Sequence, residues 1–136
     1  MNAARRGRAH DGMAAKLTLT SVTLDSPDAP RLARFYGRLL GLTVTKEEDP
    51  TWVMLAGPGG GVGINVQHDS RYVRPTWPAT EDGQRMMVHL EIQVDDLAAA
   101  VAHATECGAT PADFQPQDDV RVCLDPDGHP FCLYLE

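Results

Sequence analysis

The chain has 136 residues and a mass of 14.8 kDa, the length of one domain. Hydrophobic residues make up 43% and charged residues 23%, which excludes an overall disordered, collagen-like or disulfide-scaffold chain. No apolar run approaches the ~20 residues of a membrane-spanning helix, so no membrane partner is expected.

Four basic residues (Arg5, Arg6, Arg8, Lys16) lie in the first sixteen positions with one acid, Asp11. From Leu17 onward, eight basic residues face eighteen acidic ones, a net charge of −10. Such a body repels phosphate backbones, so no nucleic-acid partner is expected. The head lacks the apolar stretch of a secretory signal and reads as a flexible tail over residues 1–16, with Met13 as an alternative start. The three cysteines are odd in number and have no CxxC spacing, which points to reduced thiols and a cytoplasmic location.

Leu17–Asp25 alternates apolar and small polar residues and predicts a half-buried strand. Ser26 or Asp28 can cap the helix that follows. Its apolar residues Leu32, Phe35, Tyr36, Leu39 and Leu40 recur at helical spacing from Pro30 to Leu40, and Gly41 ends it. Leu42–Lys46, Trp52–Ala56 and Val62–Gln67 read as three strands. The glycine-rich turn Gly57–Gly61 joins the last two. It has no following Lys-Ser/Thr and opens a strand, so it is not a phosphate loop. Residues 68–85 form a polar connection holding Pro75, Trp77 and Pro78.

The order then restarts. Met86–Val94 alternates cleanly as a strand, with Met86 and Met87 expected in the core. Asp95-Asp96 caps a helix over Leu97–Cys107, and Gly108 ends it. A short strand is expected near Thr110–Phe114. Val120–Leu124 and Phe131–Leu135 form a hairpin around Asp125-Pro126-Asp127-Gly128, a structural turn that His129 stabilises. His68 and His103 read as surface residues. The order strand, helix, three strands thus occurs twice. The fold class is α+β: two βαβββ modules, about 17–68 and 86–136, joined by a linker over 69–85. They are related by pseudo-twofold symmetry, share one core and form a curved, cup-like mixed sheet in a single domain over 17–136.

Alternation assigns side chains to faces. Val88, Leu90, Ile92 and Val94 should pack on the helices. His89, Glu91 and Gln93 take the other face. Cys132 and Tyr134 oppose Phe131, Leu133 and Leu135, and Asn65 and Gln67 share a face with Gly63. A cup lined this way offers hydrogen bonds from Asn65, Gln67, His89 and Glu91, and flat surface from Trp and Tyr side chains.

The run Asp28…Phe35-Tyr36…Leu40-Gly41-Leu42, then Val94-Asp95-Asp96-Leu97, then Asp125-Pro126-Asp127-Gly128-His129-Pro130-Phe131 resembles the vicinal-oxygen-chelate superfamily. That superfamily holds glyoxalase I, extradiol dioxygenases, epimerases and the bleomycin- and fosfomycin-resistance proteins. Asp25-Ser26-Pro27-Asp28, Trp77-Pro78 and the Gly-His-Pro-Phe-Cys ending resemble its glyoxalase-like subgroup. The resemblance implies metal-ligand positions at Ser21, at Gly63 or Asn65, at His89 and at Cys132. Only His89 fits the family pattern. Cys132 is soft where a carboxylate is usual, and Glu91 or Gln67 could be recruited. No catalytic metal is therefore expected. The resemblance implies a protein of the bleomycin-resistance type that binds a small organic molecule through Trp52, Asn65, Gln67, Trp77, His89, Glu91, Cys132 and Tyr134, as a homodimer. The alternative is a lyase, isomerase or dioxygenase that uses His89, with Cys132, to hold zinc, iron, nickel or manganese. His89 as a metal-free acid–base catalyst is a third reading.

Overall fold

The computed structural model describes residues 15–135. The Arg-rich head and the alternative start at Met13 lie outside the described residues. In chain order the elements are β1 (Ser21–Ser26), α1 (Ala29–Leu40), β2 (Thr43–Glu48), β3 (Trp52–Ala56), β4 (Gly63–His68), β5 (Leu90–Gln93), α2 (Leu97–Cys107), β6 (Thr110–Pro111), β7 (Val120–Leu124) and β8 (Pro130–Tyr134).

The strands form two four-stranded mixed sheets, β1-β4-β3-β2 and β5-β8-β7-β6. In each, the first strand of the module runs parallel to the last, and the other pairings are antiparallel. The repeat read from element order is therefore a repeat of topology. The two sheets are not joined by a ladder, which leaves β1 and β5 as edge strands.

Helix ends follow from local chemistry. Asp28 Oδ1 accepts from Arg31 N at 3.2 Å, and Asp96 Oδ1 accepts from Ala99 N at 3.0 Å. Gly41 ends α1 at φ 67°, a left-handed conformation that costs glycine little. Ser26 is not the cap. It ends β1 in full burial, accepts from Asp28 N and serves a different partner, described below. α1 buries Ala29, Leu32, Ala33, Phe35 and Tyr36. One core cluster draws on both modules: Leu24, Leu32, Phe35 and Val66 pack with Cys123, Phe131 and Leu133. The Phe35 and Phe131 rings meet at 6.0 Å across the module boundary.

Both leading strands are shorter than their alternation predicts. β1 starts at Ser21 because its partner β4 starts at Gly63, and the register pairs these two residues. Leu17 and Leu19 are left 92% and 71% exposed. β5 starts at Leu90, paired with Phe131 near the start of β8. Ahead of it the chain turns away, with Met87 at φ 61° and Val88 N bonded to Met86 O at 2.6 Å. Met87 is 84% exposed and Val88 is also exposed, so the expected core role of Met87 and the expected packing of Val88 on the helices are both corrected. Alternation marks which residues suit a strand; the reach of the partner decides which become one. The strand expected over Thr110–Phe114 reduces to Thr110–Pro111.

A buried polar latch joins the modules. The turn between β7 and β8 carries Asp125, Asp127 and His129, all buried. Asp125 Oδ2 accepts from Tyr36 OH of α1 at 2.6 Å and lies 2.8 Å from His129 Nδ1. Its Oδ1 accepts from the backbone N–H groups of Asp127 and His129, both at 2.9 Å. Asp127 accepts from Ser26 Oγ at 2.5 Å and pairs with Arg31. Tyr72 of the linker donates to Asp127 O at 2.7 Å, and Arg74 donates to Pro126 O at 3.1 Å. The turn is structural, as the sequence indicates, and its partners come mostly from the other half of the chain.

Burial, reinforced by the Asp125 charge and hydrogen bond, raises the Tyr36 pKa well above the usual tyrosine range. The folded state therefore holds this proton more tightly than the unfolded chain. That contribution is complete below pH ~10 and is lost as pH rises above it. Stability measured by urea titration should fall from pH ~10 upward, and Tyr36→Phe should flatten that fall while costing about 1–3 kcal/mol at neutral pH. An unchanged alkaline slope in Tyr36→Phe would show that Tyr36 does not drive it.

Candidate functional site

Each sheet has a face turned away from the helices. In sheet one it carries Ser21, Thr23 and Asp25 of β1, opposite Gly63, Asn65 and Gln67 of β4, with Trp52 and Met54 of β3 beside them. In sheet two it carries Glu91 and Gln93 of β5, opposite Cys132 and Tyr134 of β8, with Val120 and Val122 next in line. Within β4, β5 and β8 the alternation predicted from sequence is the alternation observed; Val88 and Leu135, outside these strands, are exposed. The eight expected binding residues are divided between these faces and the linker: Trp52, Asn65 and Gln67 on sheet one, Glu91, Cys132 and Tyr134 on sheet two, His89 just ahead of β5 and Trp77 in the linker.

On sheet one, Asn65 is buried, and its amide donates to Ser21 Oγ at 2.8 Å. These two residues satisfy each other. Trp52 and Gln67 are cross-strand neighbours at the far end. Gly63 is forced by space. A Cβ there would lie 2.3 Å from Leu55 O, inside the neighbouring strand's backbone.

On sheet two, three polar side chains converge. His89 precedes β5, and its Nε2 lies 2.8 Å from Glu91 Oε1. Glu91 is the direct cross-strand partner of Cys132. One potential ligand atom from each of His89, Glu91 and Cys132 lies within 4.8 Å of the other two. Burial, and then the nearby Glu91 carboxylate, push the Cys132 thiol pKa up. A protonated thiol is a poor nucleophile, which argues against covalent chemistry at Cys132. On the opposite face of β7, burial lifts the Cys123 thiol to about 11.

The three donors fit a metal of the zinc type. Nitrogen, oxygen and sulfur ligands suit that ion, and three protein ligands leave an open position of the catalytic kind. Glu91 supplies the third donor that His89 and Cys132 lack by themselves. All three belong to the second module; Ser21 and Gly63 of the first supply none.

Trp77 stands apart from this cluster but reaches it through a cavity. Its Nε1 donates to Phe114 O at 3.1 Å, and its ring lies 6.1 Å from the Phe114 ring. A cavity of about 380 Å³ has Trp77 and His89 in its lining, together with Arg85 and Met86. Trp52, Asn65, Gln67, Glu91, Cys132 and Tyr134 are not among its lining residues. Arg85 was not legible as a site residue, because it lies in a loop without periodicity and only the loop's folding brings it to Trp77.

The model of the glyoxalase-like domain matches residues 21–134, and the chain belongs to that family. Solved structures with the same fold include a possible glyoxalase from Bacillus cereus, 11% identical with TM-score 0.64, covering 88% of this chain and 99% of that one. A glyoxalase/bleomycin resistance protein/dioxygenase family enzyme from Burkholderia phytofirmans PsJN is 16% identical with TM-score 0.62, covering 88% of this chain and 98% of that one. TnmS3, an antibiotic binding protein from Streptomyces sp. CB03234, is 16% identical with TM-score 0.57, covering 90% of this chain and 98% of that one. No curated protein sequence matches the chain.

Cys132 should react with iodoacetamide at neutral pH more slowly than a free cysteine. Glu91→Gln removes one cause of the raised pKa and should speed the reaction about two- to tenfold. Peptide mass spectrometry after timed alkylation reads the rate at each cysteine. Equal rates in both proteins would show that Glu91 does not control the thiol.

Proposed function

We propose that the protein binds a small organic molecule at the helix-free face of sheet two, around His89, Glu91 and Cys132, without needing a catalytic metal. The observation that carries this reading is the convergence of these three side chains within 4.8 Å, beside a cavity that His89 helps to line. Tyr134 on the same face supplies flat surface. Trp52, Asn65 and Gln67 of sheet one form a second contact region. The ending Gly-His-Pro-Phe-Cys places the chain, on our reading, in the glyoxalase-like subgroup that shares it. An antibiotic binding protein among the structures of like fold is in keeping with a binding role.

We also propose a homodimer in the cytoplasm. The edge strands β1 and β5 have no neighbour on one side, and Leu17, Leu19 and Met87 next to them are exposed. Apolar side chains beside free strand edges favour pairing with a second copy. Cys107, Cys123 and Cys132 are all free thiols, in keeping with a reducing compartment. Among the described residues no helix is long and apolar enough to cross a membrane.

The second reading is a metal enzyme. The donor count favours it, since His89, Glu91 and Cys132 together meet the minimum for a catalytic zinc site. A bound ion there would supply Lewis acidity to a ligand oxygen. The chain's own part would be to hold that ion with His89, Glu91 and Cys132.

A thermal-shift screen of aromatic and antibiotic-like compounds tests the first reading. Compounds that raise the melting temperature of the protein should lose that effect in His89→Ala. Metal content of protein purified without chelators tests the second. Near-stoichiometric zinc, iron, nickel or manganese that His89→Ala abolishes would overturn the metal-free reading. Sedimentation velocity tests the dimer: Leu19→Glu combined with Met87→Glu should shift it toward monomer, and a monomeric wild type would overturn it.

A further inference from the structure

The lining of the cavity beside His89 differs in charge from the chain's net balance. From Leu17 onward the protein carries net −10, yet no carboxylate lines this cavity. Its charged wall residue is Arg85. That guanidinium has no hydrogen-bond or ion-pair partner among the described residues. His89, the other ionisable wall residue, is already paired with Glu91. Arg85 is therefore the one lining residue with a permanent charge, and its guanidinium is solvent-exposed and free to engage an anion, although the residue also borders the neighbouring hollow lined by Asp25 and Asp69.

The backbone fixes this arrangement. Thr76 N donates to Gln84 O at 2.9 Å, and Thr76 Oγ1 donates to the same oxygen at 3.3 Å. These bonds close residues 76–84 into a loop with a narrow neck. Trp77 and Arg85 flank the neck, eight positions apart in sequence and on one cavity in space. Gly83 packs inside the loop, where a Cβ would meet Thr76 and Thr80. The indole is held by its bond to Phe114 O, so it offers a flat surface that needs no ordering on binding. Met86, Met87 and Val88 complete an apolar wall.

We infer that this cavity binds an aromatic organic anion, with the ring system against Trp77 and the methionines and the anionic group on Arg85. The inference rests on the small-molecule reading above and names the chemical class of that ligand. A volume of about 380 Å³ admits a fused ring system. A guanidinium–anion bond in a partly apolar setting is worth about tenfold in affinity or more.

Two related dyes test it. 8-Anilinonaphthalene-1-sulfonate is an aromatic anion; N-phenyl-1-naphthylamine has the same rings and no charge. Fluorescence titration should show one saturable site per chain for the anion, about tenfold tighter than for the neutral dye. Arg85→Gln should weaken the anion about tenfold and leave the neutral dye unchanged. Arg85→Lys, which keeps the charge, should restore most of the preference. Arg85 is exposed, so circular dichroism should show both variants folded. Equal affinity of the wild type for both dyes would overturn the inference, as would an anion affinity that Arg85→Gln leaves intact. If compounds from the thermal-shift screen still depend on His89 in that case, binding at the face of sheet two stands and only the anion assignment falls.

Discussion

A buried carboxylate must be surrounded by donors, and Asp125 sets this requirement for the whole chain. It is almost wholly withdrawn from solvent. An unpaired charge at that depth would cost several kcal/mol. The chain meets the requirement with groups from distant places: Tyr36 on α1, His129 on β8's approach, and two backbone N–H groups of the turn itself. Satisfying Asp125 therefore brings α1 of the first module onto the turn of the second. The apolar contact of Phe35 with Phe131 lies in the same contact region. Area burial holds the modules together, and the polar latch chooses the relative placement, because hydrogen bonds have direction and apolar contacts do not.

The latch also reaches the candidate site. Tyr72 and Arg74 tie the linker to the β7–β8 turn, and Trp77 ties it to Phe114 in the stretch between β6 and β7. A connection without regular secondary structure is thus held at three points by the second module. The cavity wall formed by residues 85–88 follows this anchored connection in the chain.

Sequence made the architecture legible because it is written in short periods. Alternation gave the faces of β4, β5 and β8, and helical spacing with Asp28, Asp96 and the two closing glycines gave the helices. It overreached where a strand needs a partner. Leu17–Leu19 and Met86–Val88 have strand alternation and lie ahead of the ladders, which open at Ser21 opposite Gly63 and at Leu90 opposite Phe131. The site was legible only within one strand or one pair. His89, Glu91 and Cys132 follow from parity on β5 and β8. Arg85 and Trp77 do not, because their meeting depends on the Thr76–Gln84 closure, which leaves no periodic trace. The partners of Asp125 were hidden for the same reason: Tyr36 lies 89 positions away.

Gly63 has a consequence for how the two halves can change. The family pattern offers equivalent positions in the two modules for the same task, yet a Cβ at 63 would lie 2.3 Å from Leu55 O. A point substitution cannot give the first module a donor there. The strand β3 would have to move first, and β3 is central to a sheet whose Val53 and Leu55 are in the core. The duplicated design is therefore ratcheted. New chemistry can be acquired by substitution around His89 and Cys132, while at this position the first half is confined to its present shape by its own backbone.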